Sequence, residues 1–99
     1  GATEVQREEK ERQIRGAVVE WKLPVYDVSS RADGYYVIQT STGNGQIGTF
    51  CHVKPKDEYE KKVLVSLKPG QIITCKGIID GVSMGNIEID PAIVRQLSP

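Results

Sequence analysis

One amphipathic helical segment, set among strand-like runs, constrains this chain more than any other feature. Tyr59, Val63, Leu64 and Leu67 recur at a spacing that gathers them on one face of a helix. Lys54-Pro55-Lys56-Asp57 opens that helix, which is expected to run to about Leu67. Asp57 suits the N-cap, where a short carboxylate accepts from orphan backbone N–H groups. Glu60, three residues on, completes a variant of the capping box. Pro69-Gly70 then ends the segment. A lone helix with one apolar face has to bury it against a sheet, so it is expected to plug a barrel of the surrounding strands.

Those strands read three before the helix and two after it. Ile14 to Val28 carries Val18, Val19, Trp21, Val25, Tyr26 and Val28, with Gly16 near its start and Pro24 as a bend, since proline cannot donate to a ladder. Ser29 to Gly34 is a turn cluster. Tyr35 to Ser41 is a second strand, and Gln46 to Val53 a third, paired antiparallel to it. Between them Thr42-Gly43-Asn44-Gly45 holds an Asn-Gly pair, a strong hairpin signal. Gln71 to Asp80 is the fourth strand and Asn86 to Asp90 the fifth, with a turn over Gly81 to Gly85. Pro91 to Pro99 reads as a tail whose Ile93 and Val94 close the barrel's end. Residues 4–13 are polar on every face, with Glu8 and Arg12 at helical i,i+4 spacing, so residues 1–13 form a polar helical or flexible lead-in. Residues 14–95 then form the folded domain and 96–99 a tail. The expected fold is all-β with one helix, a five-stranded Greek-key barrel in the order β-β-β-α-β-β, which is the OB arrangement.

The stretch from Leu67 to Val94 resembles the tRNA_anti-like family of bacterial OB-fold domains. The likeness lies in Gly70 opening the fourth strand, in the apolar-x-apolar-x-Gly pattern of Ile73, Cys75 and Gly77, and in the Gly85-Asn86 turn into the last strand. Upstream, YYVIQTS and GTFCHV fit the same family's second and third strands, and the resemblance covers roughly residues 14–95. It implies the fold, and by kinship with anticodon-binding domains it implies nucleic-acid binding.

Charge bears on that implication. The 99 residues carry 13 basic and 13 acidic groups. Removing residues 1–13 takes away three basic and four acidic groups, which leaves a body of +1. A polynucleotide site usually draws its affinity from a clear basic excess. No apolar run approaches the roughly 18 residues of a membrane span. The sequence opens on Gly1-Ala2, and two locations are compatible with it: the cytoplasm, or the cell envelope if a signal or lipid anchor has been removed. Cys51 and Cys75 lie in apolar strand patterns as small core residues, although one disulfide between them is open to an exported protein. Their spacing is not that of a structural zinc site, and no cofactor motif, nucleophile–base pair or phosphate-cradling loop stands out.

OB barrels bind on the outer face of strands two and three. Side chains alternate along a strand, so Tyr36, Ile38 and Thr40 inward places Tyr35, Val37 and Gln39 outward. Likewise Ile47, Thr49, Cys51 and Val53 inward places Gly48, Phe50 and His52 outward. Tyr35, Phe50 and His52 then form a flat surface on which bases could stack, with Arg31, Lys54 and Lys56 to meet phosphates. Glu88, Asp90 and Asp80 read as solvated charges at separate positions, and Trp21 as part of the barrel wall. Two functions follow for a non-catalytic module: weak, sequence-neutral binding of single-stranded nucleic acid on that face, or protein–protein interaction and assembly, including as an envelope lipoprotein domain.

Overall fold

In the computed structural model, described for residues 3–41 and 48–97, the chain runs α1 (Glu4–Ile14), β1 (Val18–Ser30), β2 (Tyr36–Thr40), β3 (Thr49–Val53), α2 (Glu58–Ser66), β4 (Ile72–Ser83) and β5 (Asn86–Gln96). The strands close into a barrel in the order β1-β2-β3-β5-β4, with β4 returning to β1. All ladders are antiparallel except β3 with β5, which is parallel. The expected five-stranded OB barrel with one helix is the fold of this chain.

β1 belongs to two ladders. Its first half, Val18 to Pro24, pairs with β4, and its second half, Val25 to Ser30, pairs with β2. Pro24 falls at the changeover, the last paired position on β4, where its missing N–H interrupts nothing further along that ladder. A register shift between Val25 and Asp27 completes the bend. Around it, Pro24 O accepts from the Ser41 N–H at 3.0 Å and Val25 O accepts from the Gly70 N–H at 2.8 Å.

The interior is lined by Ile38, Cys51, Ile73, Cys75 and Ile89, none with measurable exposure, together with Val25. Both cysteines are free thiols in this core. Thr40 and Thr49 are the buried polar pair: the Thr40 hydroxyl donates to the Thr49 carbonyl at 3.2 Å and accepts from the Thr49 N–H at 3.1 Å. Of the inward and outward sets expected for β2 and β3, Ile38, Thr40, Thr49, Cys51 and Val53 are buried and Val37, Gln39, Phe50 and His52 only half-buried, while Tyr36, expected inward, is itself half-buried and packs against the core. Trp21 packs half-buried against the core from β1. The hairpin turn expected at Thr42 to Gly45, and Ile47, lie outside the described residues. So does the Glu8 side chain of the expected pair with Arg12; Arg12 instead bonds Glu9 at 3.1 Å.

α2 is capped as expected: Asp57 Oδ1 accepts from the Glu60 N–H at 2.9 Å. The reciprocal bond is displaced by one residue, for Glu60 Oε1 accepts from the Lys56 N–H at 2.8 Å. Leu64 and Leu67 enter the core, but Tyr59 is 76% exposed and does not plug the barrel. It belongs to the first turn of α2, which overhangs a groove beside β5.

The last two strands are longer than their sequence pattern implies. β4 continues through Gly81 to Ser83, and the turn is only Met84-Gly85, both at positive φ (51° and 81°), as a two-residue type I′ hairpin requires. β5 does not stop at Asp90. It passes through a cis Asp90–Pro91 peptide and pairs Ala92 to Gln96 with β4, so most of the expected tail is strand. Gly77 sits opposite Ala92, and its lack of a Cβ lets the Pro91–Ala92 backbone lie directly against β4. Ile93 faces out at 61% exposure, while Val94 packs toward the core.

α1 is a polar helix, and the barrel takes hold of the chain just after it. Gly16 N–H donates to Ile79 O at 2.7 Å and Ile79 N–H donates to Ala17 O at 2.8 Å.

Candidate binding face

The outer surface of β2 and β3 is extended by β5, because the parallel β3–β5 ladder sets Phe50 beside Glu88. Across the other ladder, Phe50 faces Gln39 and His52 faces Val37. This yields a half-buried patch of Val37, Gln39, Phe50, His52 and Glu88. Tyr35 joins it from the β1–β2 loop rather than from the strand, which begins one residue later at Tyr36. An Asx-like turn holds it there: Asp33 Oδ1 accepts from the Tyr35 N–H at 3.3 Å, and Tyr35 O accepts from the Arg31 N–H at 2.7 Å.

Arg31 is the hub. Its guanidinium carbon lies 4.5 Å from the centre of the Tyr35 ring, within cation–π range. One guanidinium nitrogen bonds Asp33 Oδ2 at 2.5 Å; the other lies 3.2 Å from His52 Nδ1 and 3.8 Å from Asp90 Oδ2. His52 Nε2 is 2.6 Å from Glu88 Oε1. A guanidinium donates and never accepts, so the bond to Arg31 requires Nδ1 to be the acceptor. The ring hydrogen then sits on Nε2 and points to Glu88. Both ring nitrogens are therefore engaged within the face.

The electrostatic sum of this face follows from its members. Arg31 and Lys54, whose ammonium is 5.9 Å from the Tyr35 ring centre, stand against Asp33, Glu88 and Asp90. Two cations meet three carboxylates. Partly exposed ion pairs of this kind contribute little stability, about 0–1 kcal/mol each, so their effect is to orient the rings and cancel charge. Lys56 stands apart from the cluster. Its ammonium is 3.7 Å from Glu60 and it lines the groove beside α2.

The sequence reading thus brings together Arg31, Tyr35, Val37, Gln39, Phe50, His52 and Lys54, but not Lys56. It missed the acidic half of the face. Glu88 and Asp90 reach His52 and Arg31 only because β3 and β5 run parallel, a pairing such as Phe50 with Glu88, 88 − 50 = 38 residues apart, that no local pattern announces. Among the described residues, no group of three or more histidine, cysteine or carboxylate side chains is arranged to hold a metal ion. Among the described residues, no helix is long and apolar enough to cross a membrane.

No family model and no curated protein matches this sequence. Among solved structures the chain is similar to the OBody AM3L15 bound to hen egg-white lysozyme, with a TM-score of 0.64 and 17% identity over 88% of this chain and 81% of that one. At that identity the likeness concerns the fold.

Proposed function

We propose that this protein is a non-catalytic OB-fold binding module that engages a protein partner through the outer face of β2, β3 and β5. The observation that carries the reading is that Arg31, the cation best placed on the face, is held by Asp33, Asp90 and His52 rather than left for a ligand. A phosphate backbone draws affinity from unmatched cations, and here it would meet a surplus of carboxylate. Rings whose polar neighbours are already satisfied suit the centre of a protein interface, where aromatic and arginine side chains are enriched. The OBody to which this barrel is similar is itself bound to a protein, lysozyme, which is in keeping with the reading.

A second reading, single-stranded nucleic acid, draws on the rings of Tyr35 and Phe50 with Lys54 beside them, since base stacking contributes about 1–3 kcal/mol per ring. Affinity capture with the wild-type chain and a Tyr35→Ala/Phe50→Ala double variant separates the two. Under the first reading, proteins retained by the wild type are lost from the variant, while circular dichroism stays unchanged. Anisotropy of labelled single-stranded DNA and RNA then stays flat even at low salt. Micromolar, salt-sensitive oligonucleotide binding that the double variant abolishes would reverse the order.

A further inference from the structure

A second concave surface opens where β3 and β5 part. The two strands pair only from Thr49–Ile87 to Cys51–Ile89. β3 then ends at Val53, whereas β5 runs on to Gln96 against β4. α2 lies across the gap and leaves a groove of about 660 Å³. Its floor is apolar, made by Val53 and Leu64 from the core and by Val63 and Val94 beside them. Tyr59 and Ile93 stand on its walls, 76% and 61% exposed, two large apolar side chains with no core to enter.

Charge distinguishes this groove from the ring face. Lys54, Lys56 and Arg95 line it against one carboxylate, Glu60. That is a local surplus of two positive charges on a chain whose formal net charge is zero. Charges placed around an apolar floor select a partner by complementarity and exclude like-charged ones. The apolar floor asks for side chains rather than for phosphate alone. The strand of β5 along one wall matches the length and pitch of an extended segment.

We propose that this groove docks an extended acidic segment of a partner protein, with its apolar side chains between Tyr59 and Ile93 and its carboxylates on Lys54, Lys56 and Arg95. The ring face shares only Lys54 with it, so either surface can fail without the other.

The test is a titration of the full, isotopically labelled chain with a peptide alternating aspartate and leucine, followed by amide chemical shifts. Shifts are expected at Tyr59, Val63 and Ile93 to Gln96, and not at Val37, Gln39 or Phe50. The same peptide with lysine for aspartate should leave the groove unmoved. Lys56→Glu with Arg95→Glu should weaken binding by about tenfold or more, and Lys56→Arg with Arg95→Lys should retain it. Ile93→Asp should abolish it, with circular dichroism and Trp21 fluorescence reporting an intact barrel in each variant. Groove amides that stay still at millimolar acidic peptide overturn the proposal, as does an equal response to the lysine peptide. So do groove shifts that follow protein concentration without peptide, which would assign the surface to a second copy, or groove shifts caused by an oligonucleotide.

Discussion

Gly77→Ala is the substitution to which this barrel should respond most sharply for its size. A methyl group built at Gly77 would lie 2.4 Å from Pro91 O, 2.5 Å from Ile89 Cγ2 and 2.9 Å from Ala92 Cα. Ordinary carbon contacts are about 3.5–4.0 Å, so β4 and β5 must separate by roughly an ångström. Little there can yield. Two of the three atoms are backbone, and the third belongs to Ile89, which has no exposure. Overpacking a tight core costs about 1–3 kcal/mol, and backbone obstruction puts this case near 3. For a domain of this length that is a fall of about 10–20 °C in Tm. Gly70→Ala is the internal control: it has nothing within 4 Å but a φ of +90°, so its cost is backbone strain alone, about 1–2 kcal/mol. Urea unfolding followed by Trp21, the sole tryptophan, gives both values, with an unchanged m-value showing that the surface exposed on unfolding is the same in each variant. If Gly77→Ala costs less than Gly70→Ala, the β4–β5 spacing is not rigid and the account of Gly77 is wrong.

Three further outcomes are expected. Thr40→Val keeps the shape but strands the buried Thr49 N–H, and should cost about 1–3 kcal/mol in the same unfolding assay. Asp57→Ala removes the cap of α2 and should cost about 0.5–2 kcal/mol; a neutral result would mean that packing of Leu64 alone holds the helix. The hydrogen bond to Cys75, with burial, raises the Cys51 thiol far above its ordinary 9.0. Its stabilising contribution is therefore intact below pH 9.0 and eroded above it, because only the unfolded chain releases the proton there. Stability measured from pH 8 to 10 should fall, and Ellman's reagent should label the native thiols far more slowly than those of the urea-unfolded chain; labelling at the unfolded chain's rate would contradict this burial.

The barrel was legible in the sequence because alternation on β2 and β3 is clean: Ile38 and Thr40, then Thr49, Cys51 and Val53, all point inward as their spacing implies. The bend at Pro24 was legible because proline states what a backbone cannot do. β5 was cut short for the same reason: Pro91 reads as a stop, and only the bare Gly77 opposite makes room for the strand to continue. Tyr59 has the right helical spacing for the core yet lies outside it, since spacing fixes a face and not how far along the helix the barrel reaches. The ring side of the candidate face could be read from parity alone. Its acidic side could not, because Glu88 and Asp90 meet Arg31 and His52 through a non-local parallel pairing.

The double membership of β1 also governs how the chain comes together in time. Its second half meets β2 through a short loop, with Ser30 opposite Tyr36. Its first half must wait for β4, with Val18 opposite Ile78, a separation of 78 − 18 = 60 residues. Loop-closure entropy makes the first union early and the second late, so the local hairpin precedes the seam that completes the cylinder. Until that seam forms, Val18 to Pro24 has no ladder partner, because β4 is the strand it pairs with.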